Sequence, residues 1–262
     1  MPGVLSEFHR PMIAWREKFR AMLLHFLVTL AMAAFAAAVI FLVWFPDPFQ
    51  VMQGGVALFV LISVCDLVLG PLISLVIYNS KKSRRELITD YSIVGAVQLA
   101  AFVYGVMSIA SARPVYVAFA VDRFEVVSAR DIDDKDLLNA QAPYRTRPKW
   151  GPKLVGTQRP TDPKESSDLT LAVLDGKDLQ MFPRYYVPYE AVKEQVQQRS
   201  QPLEALYKHH PEAKQLVAAA KLEIPESQLR WLPIHGKGFW TALVDVNGGP
   251  PLAYLPLDPF DS

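Results

Sequence analysis

The chain has 262 residues, 51% of them hydrophobic, with a mean hydropathy of +0.15, which is too apolar for an ordinary soluble protein of this length. Its 27 lysines and arginines nearly cancel 26 aspartates and glutamates, and a formal charge of +1 gives no electrostatic footprint for nucleic acid. The single cysteine, Cys65, lies inside an apolar run, so the rest of the chain has neither a disulfide framework nor a cysteine metal site.

The apolar excess sits before Arg113 in three runs, residues 21–45, 56–78 and 92–112. A helix rises about 1.5 Å per residue and about 20 residues cross the hydrocarbon core, so each run is read as a transmembrane helix. A cleaved signal peptide is the rival reading of the first run, but that run is long and ends in WFPDPF without a small-x-small site, so it is read as retained. Arg10, Arg16, Lys18 and Arg20 precede the first span, and Lys81, Lys82, Arg84 and Arg85 separate the second from the third. The intervening PDPFQVMQGG has no base. The positive-inside rule then makes residues 1–20 cytoplasmic, residues 21–112 a three-helix membrane region, and residues 113–262 a domain on the far side, which in a bacterium means a periplasmic domain on an inner-membrane anchor. Trp44, Phe45 and Tyr78 fall where aromatic anchors are expected at headgroup depth.

The second span carries SVCDLVLGPLISL, with an acid and a Gly-Pro pair in the middle of an apolar helix. Spacings of three, four and four put Ser63, Asp66, Gly70 and Ser74 on one stripe, where small residues allow close backbone approach. Pro71 cannot donate to the Leu67 carbonyl, which predicts a kink and a free acceptor beside the acid. Counted from the cytoplasmic ends, Asp66 and Tyr104 both lie about 20 Å deep, which makes Tyr104 the expected internal donor, with Gln98 and His25 shallower. Three uses stay open for this polar set: glue between the three helices, a docking stripe for a partner helix, or an ion or proton path.

Beyond the spans, Val115, Val117, Phe119 and Val121, then Phe124 to Val127, predict a hairpin turning at Asp122 and Arg123. Asp131 to Asp134 predict the start of a short helix through Leu138. Residues 142–163 are rich in proline and bases around Tyr144 and Trp150, which suits a solvated loop, or a face toward anionic headgroups or an acidic partner; LVGTQ within them is a candidate strand. Helical patterns follow at 163–174, 188–199, 202–209 and 211–222, three of them with proline near the first turn. The aromatic loop PRYYVPYE, with Tyr185 and Tyr186, suits either packing or a binding surface. Residues 229–260 predict strand, Gly turn, strand, Gly-Gly-Pro turn, strand. The fold class expected is three transmembrane α-helices followed by an α+β domain with an antiparallel sheet.

No catalytic, cofactor or metal site is assigned. HGKGFW lacks the Walker spacing and is read as a hairpin turn, and His209-His210 is read as a helix end. There is no G-x-S-x-G elbow, H-E-x-x-H or P-loop.

D-L-V-L-G-P-L at 66–72, Q-L-A-A-F-V-Y-G at 98–105, A-R-P-V-Y-V-A-F-A-V-D-R-F-E-V-V at 112–127, P-R-Y-Y-V-P-Y at 183–189 and L-P-L-D-P at 255–259 occur in this order after the first span. Together they resemble the TfpX/TfpZ group of type IV pilin accessory proteins over nearly the whole chain. The loop KKSRRELITD departs from that group's pattern. The resemblance implies a non-enzymatic inner-membrane protein that binds a type IV pilin, and other pilus assembly proteins, to aid assembly or modulate pilus dynamics. An envelope enzyme acting on pilin and an envelope sensor are the competing classes. Partner contact is expected at Ser63, Asp66, Gly70, Pro71, Gln98 and Tyr104 within the bilayer, and at Tyr185 and Tyr186 outside it.

Overall fold

The computed structural model describes residues 9–79 and 82–261; Lys81 lies outside the described residues. Three helices among them are long and apolar enough to cross a membrane: Trp15–Trp44, Gly55–Ile77 and Arg84–Ala112. The first comprises α1 (His9–Val39) and a π-helical turn (Ile40–Trp44); a short α2 (Phe49–Met52) follows, then α3 (Gly55–Ile77) and α4 (Arg84–Ala112). The helix α4 begins eight residues before the expected span because Ser83 and Glu86 form a capping box. The Ser83 amide donates to Glu86 Oε2 at 2.7 Å and the Glu86 amide to Ser83 Oγ at 3.3 Å. Pro71 is accommodated inside α3, which continues to Ile77.

The chain divides into two compact units, residues 1–42 with 56–110, and residues 43–55 with 111–262. The loop between the first two long helices therefore belongs to the C-terminal unit. Phe45, Phe49 and Met52 are buried, and the last two join a core with Val117, Phe119, Phe124, Leu232 and Ile234. Phe49 meets Tyr254 edge to face at 5.5 Å. Phe45, expected as a lipid anchor, is fully buried against Gly55 instead.

The C-terminal unit is α+β. Its strands are β1 (Pro114–Ala120), β2 (Arg123–Ser128), β3 (Lys153–Thr157), β4 (Tyr186–Val187), β5 (Gln201–Pro202), β6 (Leu229–His235), β7 (Phe239–Asp245) and β8 (Ala253–Leu255). They form one sheet in the order β4-β3-β1-β2-β6-β7-β8, with β5 added to β6. The sheet is mixed rather than purely antiparallel. The hairpins β1–β2 and β6–β7 are antiparallel as expected, but β1 pairs β3 and β2 pairs β6 in parallel. Burial explains the central position of β1, whose seven residues are all buried and so need cover on both faces. Val117 and Phe119 enter the core shared with the 43–55 loop, while Val115, Tyr116 and Ala118 enter a second core with Ile132, Leu137 and Tyr144.

The helices are α5 (Asp134–Leu138), α6 (Pro163–Leu174), α7 (Lys193–Arg199), α8 (Leu203–His209) and α9 (Ala213–Ala219). The helix α6 occupies the expected residues. Pro163 sits in its first turn, and Asp162 caps it by accepting from the amides of Lys164 and Glu165 at 2.9 and 3.0 Å. α8 and α9 cover Trp231 and Leu243 on the far half of the sheet. Tyr189 donates to the carbonyls of Gly248 and Gly249, fixing the turn between β7 and β8 to the segment before α7. Gly248 has φ of +73°, and a Cβ there would meet the Lys193 carbonyl oxygen at 2.3 Å, so both backbone conformation and space demand glycine.

Candidate functional site

Among the described residues, two cavities are lined by buried polar side-chain atoms that have no hydrogen-bond partner. The first is in the helical unit. Ser74, 1% exposed, is a shared contact of the three long helices: its Oγ lies 2.5 Å from His25 Nδ1 on α1, and its carbonyl accepts from Tyr91 on α4 at 3.2 Å. One turn earlier, Gly70 lets two side chains lie over the backbone of α3. A Cβ at that position would come within 2.2 Å of Gln98 Nε2 and 3.0 Å of His25 Nε2. Above this contact is a cavity of about 270 Å³ lined by His25, Thr29, Asp66 and Gln98 together with apolar side chains. Gln98 Oε1 is buried without a hydrogen-bond partner, and Asp66 makes no hydrogen bond or ion pair among the described residues. The cavity thus presents oxygen acceptors and no lysine or arginine, so what fits it is a donor: water, an amide, a hydroxyl or an ammonium group.

Of the expected contact residues within the spans, Asp66, Gly70 and Gln98 come together here. Pro71 is buried beside them, and Ser63 is half-buried one turn before Asp66. Tyr104 does not join them. Its side chain is 76% exposed and it is not part of the cavity, which corrects the expectation that it donates to Asp66. Depth along a helix says nothing of azimuth. Gly105 faces α3, where a Cβ would meet Ile62 Cγ2 at 2.8 Å, and its neighbour is rotated away by about 100°. Gln98, two turns before Gly105, lies on the packed face. His25, which depth alone disfavoured, is a contact of both Ser74 and Gly70.

The second place is a groove of about 800 Å³ beside the edge strand β4, between Asn139 and Gln141 on one wall, Gln158 and Arg159 after β3, Asp162 and Glu165 at the start of α6, and residues 184–187. Tyr185 is 8% exposed, and among the described residues its hydroxyl has no partner; Arg184 Nε is likewise buried and unpaired among them. The Arg184 guanidinium stacks over the rings of Phe182 and Tyr185, with its carbon 5.1 and 4.8 Å from their centroids. No carboxylate among the described residues forms an ion pair with Arg184 or Arg159. Tyr186, by contrast, is structural. It is 2% exposed, donates to the Gln180 carbonyl, and meets Tyr116 and Tyr144 edge to face at 4.9 and 5.7 Å. Burial pushes its hydroxyl pKa well up. The groove therefore offers guanidinium, hydroxyl and amide groups together with the Asp162 and Glu165 carboxylates beside a sheet edge, a surface suited to polar segments of another chain.

A protein named "Fimbrial assembly protein, serogroup I" from Dichelobacter nodosus is 31% identical over 229 residues, which covers 86% of this chain and 89% of the relative. The chain belongs to the fimbrial assembly protein family. A second fimbrial assembly protein of the same organism, from serogroup E1, is 30% identical over the same shares of both chains. A third, from serogroups C1 and C2, is 43% identical over 109 residues, 42% of this chain and 83% of the relative. The family model for fimbrial assembly protein FimB matches residues 13–54, the first long helix and the loop that enters the C-terminal core. No solved structure matches the chain at a significant level.

Proposed function

We propose that this protein serves type IV pilus biogenesis at the bacterial inner membrane, holding pilin subunits through the Asp66 cavity and the Tyr185 groove without chemical modification of them. The carrying observation is the likeness, over most of both chains, to proteins named for fimbrial assembly. Together with the motif order noted above, it supports kinship with TfpX/TfpZ accessory proteins. A pilin in the membrane offers an apolar helix and a globular head. Three helices with an acceptor-lined cavity suit the first, and an α+β domain with a polar groove suits the second. Lys82 before α4 and Arg84 and Arg85 in its first turn, against a 46–55 loop free of bases, support a cytoplasmic N-terminus and a periplasmic C-terminal unit. The inclusion of residues 43–55 in that unit supports the same topology, since both segments then lie on one side of the membrane.

Photoreactive residues at positions 66 and 185, introduced singly in cells that make pili, test this. Crosslinking of pilin from both positions is the expected result. Capture of no pilin from either position, with piliation intact, would overturn the reading.

A further inference from the structure

Residues 145–153 contain the largest exposed aromatic side chain of the C-terminal unit, Trp150, 74% exposed. Two backbone contacts fix where it lies. The Gly151 amide donates to the Val43 carbonyl at 2.9 Å, and Arg113 donates through a guanidinium nitrogen to the Pro148 carbonyl at 3.0 Å. Val43 belongs to the last turn of the first long helix, and Arg113 is the first residue after the third. The turn carrying Trp150 is thus clamped at the points where two membrane-crossing helices end. Gly151 has φ of +45°, and a Cβ there would touch Pro46, which seats the turn directly on the first helix exit.

The charges around this turn are cationic and unmatched. Lys149 and Lys153 are exposed and form no ion pair among the described residues. Arg113 has no carboxylate partner among the described residues either, and burial together with the nearby Arg147 charge holds its guanidinium below the ordinary range. Arg147 itself is occupied, bonded to Asp134 and to the carbonyls of Ala129 and Ile132. The carboxylate of the adjoining turn, Asp47, accepts from Gln50. An indole with a polar N–H flanked by cations is the combination that favours the headgroup layer, where the ring leaves water and the bases meet phosphate. Phe45, buried against Gly55, is withdrawn from the headgroup layer, which leaves half-buried Trp44 as the aromatic side chain of the first helix exit that Trp150 would join there.

We propose that Trp150 seats the C-terminal unit on the bilayer surface, its indole at headgroup depth and Lys149, Lys153 and Arg113 facing the phosphates of anionic lipid. The occupant is lipid because the two clamping bonds start from residues at the membrane boundary, whereas a protein partner would have to share that position with the headgroups. The inference rests on the helices crossing a membrane and is independent of any pilus role.

The test uses the full chain in nanodiscs of phosphatidylcholine, with and without phosphatidylglycerol, containing either ordinary lipid or lipid brominated near the headgroup end of its acyl chains. Subtracting the emission of Trp150→Phe isolates the Trp150 component, which brominated lipid is expected to dim by about twofold, as befits an interfacial indole. Phosphatidylglycerol should deepen the quenching in the unmutated chain and not in K149E/K153E. A component indifferent to bromine, or equal lipid dependence in the double variant, overturns the proposal. Hydroxyl-radical footprinting of the unmutated chain covers the case in which Trp150→Phe misfolds. Protection of Trp150 relative to exposed Phe260 in nanodiscs is expected, and full oxidation overturns the assignment. Protection without bromine quenching also overturns it, by assigning the site to a protein.

Discussion

At the scale of single residues, two carboxylates differ in the partners that meet them. Glu125 on β2 has a side chain only 14% exposed, with His235 Nδ1 3.0 Å away and Arg123 at 3.9 Å. Desolvation is the larger effect and holds its carboxyl above the ordinary range, partly offset by His235 and Arg123. A folded-state value above the unfolded one means that the native state keeps the proton longer as pH rises. The penalty of burying the charge is therefore relieved as pH falls through the raised value toward the ordinary carboxylate value. Chemical denaturation of the chain and of Glu125→Gln across this acid range should show the wild-type advantage growing as pH falls and levelling below the ordinary value. A wild-type advantage that shrinks on acidification would mean that the His235 pair dominates instead. Asp66 has no such partner, and its cavity distinguishes glue from docking. Asp66→Asn keeps shape and hydrogen-bonding capacity, so the variant is expected to accumulate in the membrane at wild-type level while pilin crosslinking from a neighbouring position drops severalfold. Lost accumulation would make Asp66 an internal strut.

At the scale of elements, the short loop between the first two long helices is the informative part. Phe49 is 5% exposed and packs in the core with Phe119, Phe124 and Ile234, so Phe49→Ala should cost about 3–5 kcal/mol of C-terminal-unit stability. Equilibrium unfolding monitored by near-ultraviolet circular dichroism measures this, and a change below about 1 kcal/mol would remove the loop from the core. Nothing in PDPFQVMQGG announces that role except Phe49 and Met52 three residues apart in a segment otherwise suited to a connector. By contrast α6 was legible because its signals are local: Asp162 as cap, Pro163 in the first turn, and Gly176 beyond its end. The hairpins β1–β2 and β6–β7 were legible for the same reason. The parallel pairings β1–β3 and β2–β6 were not, because alternation reports which face a residue occupies and not which strand lies beside it. The sites divide in the same way. Gly70 and Asp66 share a face by helical periodicity alone, but Tyr104 needed the azimuth of Gly105, and Asn139 and Gln141 reach the Tyr185 groove only through the tertiary fold.

At the scale of the whole molecule, one core is assembled from chain segments on either side of a two-helix excursion. Residues 43–55 leave the first long helix, enter the sheet's face, and are followed by α3 and α4 before the sheet begins at Pro114. Insertion of the helices and folding of the sheet domain are therefore coupled: the domain lacks part of its core until the first loop is delivered to it. A fragment of residues 113–262 has every strand but lacks Phe45, Phe49 and Met52, leaving the face around Val117, Phe119 and Ile234 uncovered. It should bind hydrophobic dye and unfold at a lower denaturant concentration than the same unit in the full chain. A synthetic peptide of residues 43–55 added in trans is expected to bind the folded fragment and not the unfolded one, so that mass action raises stability by about 2.7 kcal/mol when the peptide is at a hundredfold excess over its dissociation constant. A peptide with Phe49 and Met52 replaced by serine should give no rise. If the fragment is already as stable as the unit in the full chain, and the native peptide leaves its unfolding midpoint unchanged, then the loop covers the sheet without contributing to its stability. Helix insertion and domain folding would in that case be independent events.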